Sequence, residues 1–177
     1  MRPATFTYGI VRPADIVGMT GKEVLQAISE GKLPAPPIAQ TLSLWLTEVG
    51  DGFAVFEGDP GPHLLHPFGM VHGGWPLTMI DRATTCAAHT LLPAGVGSTT
   101  VETKANFSRP ITENSGRVRA EGRVVGRGRR IISAEARLLD SAGRVLAHGT
   151  STIMVLSADS PDATPVPKTA VSASDKT

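Results

Sequence analysis

The chain lacks most of the features that would mark a chemistry at first sight. It holds a single cysteine, Cys86, in 177 residues. One thiol excludes an intrachain disulfide and a cysteine-based metal site. With no activating base beside it, Cys86 reads as a buried spectator rather than a nucleophile. The 17 basic and 16 acidic residues leave a net charge of +1. That gives no bulk attraction for nucleic acid or for an acidic membrane surface. No apolar run reaches the ~18 residues that a membrane-spanning helix requires. The N-terminus also lacks the apolar core of a signal peptide, so a reducing cytoplasm is the expected location. No internal repeat is visible. What remains is a soluble globular composition, 41% hydrophobic and 19% charged, long enough for one domain with extensions.

The organising stretch runs from Met70 to Leu92, the longest segment that reads as a mostly buried helix. Gly73 and Gly74 make a flexible start. Pro76 suits a first turn, where its missing N–H would be unpaired anyway. Pro93-Ala94-Gly95 stops the run. At ~100° per residue, Met79, Ile80, Ala83, Cys86, Ala87 and Leu91 cover more than half of the circumference. Asp81, Thr85, Thr78, His89 and Arg82 share a narrow polar stripe, with Asp81 at its edge beside Ala88 and Leu77. An acid there is unusual. Its plain alternative is a solvated face beside Arg82.

Residues 1–41 read as an N-terminal arm. Thr20 and Glu23 have capping-box spacing, Val24, Leu25 and Ile28 make one apolar face, and Gly31 ends the short helix. A proline-rich linker, Leu33 to Ala39, follows, and the arm as a whole reads as a packing strap over the core or a partner subunit. Extended segments fill residues 42–157 around the helix. Leu42 to Val49 and Phe53 to Glu57 form a hairpin across Gly50-Asp51-Gly52. Four runs of period-two patterning come after the helix: Ser98–Ser108, Gly116–Gly126, Arg130–Asp140 and Arg144–Leu156. Residues 158–177 are poor in large apolar side chains and are expected to be disordered. Two strands, one apolar helix and four strands imply an α+β fold in which one antiparallel sheet curls around the helix. Open strand edges and one uncovered face make subunit pairing the expectation.

His72-Gly73-Gly74, six residues, then Asp81, followed by a small-residue helix and a strand ending in Asn106-Phe107-Ser108-Arg109-Pro110, resembles the hotdog-fold acyl-CoA thioesterases of the PaaI (phenylacetate-degradation) type. The resemblance covers roughly Leu42 to Leu156, including the turns Gly128-Arg129-Arg130 and Asp140-Ser141-Ala142-Gly143. It implies that Asp81 is the catalytic carboxylate, as nucleophile on the thioester carbonyl or as general base toward water. It implies that the Gly73 N–H polarises the carbonyl oxygen, and that His72 and Gly74 shape the substrate's approach. Thr85 and Thr100 match hydroxyl positions that place the water or the acyl group. His66, in His66-Pro67-Phe68-Gly69, stands where the family usually has Asn or Gln, and is expected to serve as an auxiliary hydrogen-bond donor.

Thioester hydrolysis needs a carboxylate near the carbonyl carbon and donors aimed at the developing oxyanion, which a helix N-terminus can supply. Gly73 and Asp81 are eight residues apart, so ~12 Å separates them on one straight helix. One site must then take each from a different subunit, which makes a homodimer a requirement and a dimer of dimers an extension. Arg129 and Arg130, with Arg123, Arg127, Lys104 and Arg109, form either a coenzyme A phosphate clamp or an exposed hairpin tip. No metal and no cofactor are expected beyond the coenzyme A carried by the substrate. A non-catalytic acyl-CoA-binding or sensing module on the same fold is the alternative; a dehydratase is weaker, because its usual Asp/His constellation is not evident.

Overall fold

The computed structural model describes residues 6–156; the expected disordered tail, 158–177, lies outside them. Its strands are β1 (Leu44–Gly50), β2 (Phe53–Gly58), β3 (Gly97–Phe107), β4 (Val118–Arg127), β5 (Ile131–Leu139) and β6 (Val145–Leu156). Each falls within about two residues of its sequence expectation. Strict alternation is the reason: along β5, Ile132, Ala134, Ala136 and Leu138 are buried while Ile131, Ser133, Glu135 and Arg137 are exposed. The strands form one antiparallel sheet in the order β1-β2-β4-β5-β6-β3. Its outer face carries ion pairs such as Arg119–Glu48 and Arg117–Asp59. They keep that face wet, and partly exposed pairs add little stability.

Three helices accompany the sheet: α1 (Gly21–Ser29), α2 (Pro37–Thr41) and the central α3 (Gly74–His89). The central helix is shorter than the Met70–Leu92 stretch. Its first residues pair as extended chain instead: Val71 donates to the Ile111 carbonyl, and His72 to that of Leu64. Nine residues of α3 are buried, Met79, Ile80, Ala83 and Ala87 completely. The expected apolar face is therefore the face the sheet encloses. Strand β4 crosses so closely that a Cβ on Gly122 would strike the Ala83 carbonyl, a contact that only glycine permits. No helix among the described residues is long and apolar enough to cross a membrane.

The arm packs on its own chain. Thr20 and Glu23 form the expected capping box, with the Thr20 N–H donating to Glu23 Oε2 at 2.7 Å; such caps contribute about 1 kcal/mol. Gly21 docks α1 against the last turn of α3. Its N–H donates to the Leu92 carbonyl at 3.1 Å, and a Cβ there would collide with the His89 carbonyl. The linker is not wholly irregular, since Pro37 opens the one-turn helix α2.

Candidate active site

Asp81 stands midway along α3, half-buried, and faces edge strand β3. Three hydroxyls converge on its Oδ1: Thr100 at 2.8 Å, Thr103 at 3.2 Å and Thr85 at 3.4 Å. Thr85 and Thr100 are themselves 2.8 Å apart. A second row of hydroxyls supports the first. Thr84 donates to Ser151 at 2.7 Å, and Ser151 lies 3.0 Å from Thr103. The Thr84 hydroxyl also lies 2.9 Å from the Ile80 carbonyl and 3.0 Å from that of Asp81, so its single proton has three acceptors within reach, and the row links Thr84, Ser151 and Thr103 to the carboxylate. Thr84 and Ser151 are almost wholly buried, which fixes the rotamers behind the acid. Oδ2 has no partner among the described residues. Asp81 lines a cavity of about 320 Å³ together with Leu77, Thr78, Thr100, Val101, Glu102 and Thr103.

Gly73 is the N-cap of α3. No hydrogen bond among the described residues engages its N–H, and the Phe107 ring lies 3.6 Å from where a Cβ would project. Gly74 differs: its N–H donates to Nδ1 of His72 at 3.0 Å. His72 therefore caps the helix start with its ring and carries its own proton on Nε2, while the Gly74 N–H is already satisfied. Of the two glycines, Gly73 has the free donor. His72, Gly74 and Thr78 also line a neighbouring cavity of about 380 Å³, together with His63. Nothing in the sequence marked His63, whose Nε2 lies 3.3 Å from the Ser43 hydroxyl.

His66 sits in the loop before the helix. Its Nδ1 accepts the Phe68 N–H at 3.0 Å, which leaves Nε2–H as the one donor of the neutral ring. The structure brings Asp81, Thr85 and Thr100 together, and gathers His72, Gly73 and Gly74 at the helix start. It does not bring Arg129 or Arg130 to them within one chain. Both are exposed at the β4–β5 turn and line neither cavity. Cys86 is buried, and burial pushes its thiol up, away from the reactive thiolate. Among the described residues no group of His, Cys, Asp or Glu is placed to hold a metal ion.

Comparison with known proteins identifies the family and the fold. The family profile "Thioesterase superfamily" matches residues 68–147, the span from the loop before α3 into β6. A proposed esterase of Mycobacterium tuberculosis is 33% identical over 122 residues, covering 66% of this chain and 87% of that protein. Among solved structures, a proposed thioesterase from Ralstonia eutropha, described as phenylacetic acid degradation-related, superposes with a TM-score of 0.67 at 26% identity, covering 73% of this chain and 98% of that one. The E. coli PaaI protein from the phenylacetic acid degradation operon shares the fold at TM-score 0.61 and 18% identity, covering 67% and 83% of the two chains. The chain belongs to the thioesterase superfamily, on the hotdog fold and related to the PaaI type.

Proposed function

We propose that this protein is a thioester hydrolase that cleaves an acyl- or aryl-CoA to the free acid and coenzyme A, with Asp81 as its catalytic carboxylate. One observation carries the reading: on a thioesterase-superfamily chain, Asp81 lines a cavity with its Oδ1 held by three hydroxyls and its Oδ2 left without a partner among the described residues. A carboxylate fixed by one oxygen presents the other with little freedom, which is the orientation catalysis requires. In the water route, Asp81 takes a proton as the water oxygen bonds to the carbonyl carbon. The resulting oxyanion is held by backbone N–H donors. Collapse breaks the C–S bond, and the leaving thiolate takes the proton back from Asp81. Direct attack by Oδ2 gives instead an anhydride, which water then opens. Both routes need the same placement of acid and donor.

The donor is the Gly73 N–H of a second copy. Gly73 and Asp81 are eight residues apart on one helix, about 12 Å at 1.5 Å per residue, too far to share one carbonyl. What supports pairing is the open edge of β3 beside Asp81, where Val101 is 59% and Phe107 56% exposed. His66 Nε2–H supplies an auxiliary donor, and Arg129 and Arg130 reach the coenzyme A phosphates from the pairing copy. Thiol release from a panel of acyl- and aryl-CoAs, followed with a colorimetric thiol reagent, tests the reading. Turnover is the expected result. Tight binding without turnover favours the non-catalytic module.

A further inference from the structure

A cavity of about 310 Å³ under the N-terminal arm takes no part in the steps above. Leu25, Ile28 and Pro34 close it from the arm side, and Arg82, Thr85 and His89 from α3. Arg82 is its anomaly. The Nε atom is buried with no hydrogen-bond partner, and the guanidinium makes no ion pair among the described residues. The Phe56 ring, 5.3 Å away, offers a cation–π contact but no acceptor. The residue as a whole is half-buried, and its guanidinium cannot shed its charge as a lysine can. An unpaired buried donor on a permanent cation calls for an acceptor, and no carboxylate among the described residues lines this cavity.

The cavity also adjoins the Asp81 site. Thr85 lines it, and the Thr85 hydroxyl is 2.8 Å from that of Thr100, which lines the Asp81 cavity. We infer that, given the thioesterase reading above, the arm cavity receives the end of the acyl group and Arg82 selects acyl groups that end in a carboxylate. The substrate class is the monothioester of a dicarboxylic acid. Apolar walls accept the methylene chain, and the guanidinium reads its anionic terminus.

Matched pairs test this: succinyl- against butyryl-CoA, glutaryl- against pentanoyl-CoA, and adipoyl- against hexanoyl-CoA. Wild type should favour the carboxylated member of at least one pair by about tenfold or more in kcat/KM, chiefly through KM. Arg82→Met, which keeps an apolar stem, should bring that ratio to about one or below; Arg82→Gln serves if the methionine variant does not fold. The measure is the ratio within a pair, which a general loss of activity does not move. A wild-type ratio near one, or a ratio that survives both substitutions, overturns the assignment while the hydrolase reading stands. If no thioester is turned over, calorimetry with the free dicarboxylic acids decides. Binding that depends on Arg82 then keeps the cavity's assignment and removes the hydrolase reading, whereas equal binding or none removes both.

Discussion

The Thr100 hydroxyl donates to Asp81 Oδ1 at 2.8 Å, joining an edge strand to the central helix across 19 residues of sequence. The bond turns a mid-helix acid into an oriented one. Without it, Asp81 could rotate toward solvent beside Arg82. Replacing Thr100 by valine keeps the shape and removes the donor. We expect kcat to fall roughly five- to tenfold, the scale of one hydrogen bond, with the melting temperature nearly unchanged. Serine at the same position should restore most of the loss. Equal rates in all three proteins would show that the bond has no part in turnover.

Asp81→Asn keeps an acceptor for Thr100 and Thr103 at Oδ1 while removing the base. Its kcat should fall by about two orders of magnitude or more, with substrate affinity largely kept. Activity within a few-fold of wild type would remove Asp81 from the chemistry and leave a binding module in its place.

His66 holds its loop through Nδ1 and keeps Nε2–H as its one ring donor. An asparagine amide can present an equivalent donor. His66→Asn should therefore keep activity within several-fold, whereas His66→Phe, which retains the ring and loses the donor, should lower kcat by roughly tenfold. Complete loss with asparagine would mean that the imidazole does more than donate a hydrogen bond.

A shared site can be tested by complementation. Subunits carrying Asp81→Asn, mixed and refolded with subunits carrying Gly73→Leu, should form heterodimers with one intact site and one doubly damaged site. Activity should return in the mixture and be missing from each parent. A fully active monomer at sizing-column dilution would rule the shared site out.

The arm carries a pH dependence of stability. Burial holds the His89 imidazole below the ordinary value of 6.5. The unfolded chain therefore takes up its proton at a higher pH than the folded one. Stability from this group is complete above ~6.5 and declines as pH falls from there toward the folded value. Thermal melts across that interval should show the decline, and His89→Gln should flatten it. An unchanged slope in the variant would assign the dependence to another group.

The sequence by itself determined the elements and their order, because each rests on a local rule. Alternation of Ile132, Ala134, Ala136 and Leu138 with charged neighbours specifies β5 and its inner face. The Thr20–Glu23 spacing specifies the start of α1, and helical periodicity specifies the face of α3 that the sheet must enclose. The spacing from His72-Gly73-Gly74 to Asp81 was equally legible, and so was the distance it sets between Gly73 and Asp81 along one helix. What surrounds Asp81 was only half visible. Thr85 and Thr100 could be named from resemblance, but Thr103 and Ser151 belong to strands distant in sequence. Only their register, which pairs Thr103 with Ser151 next to α3, sets their hydroxyls behind the carboxylate. For His66 and His72, the ring nitrogen that carries the proton was likewise decided by a backbone N–H two residues away. The role of Arg82 shows the same division. On the helical wheel it was one more member of a polar stripe, a candidate for open solvent beside Asp81. In the structure Arg82 lines a cavity with Leu25, Ile28 and Pro34 of the arm, and its Nε is buried with no acceptor. Periodicity can say which face of a helix is apolar; which polar residue is taken out of water depends on what packs against it.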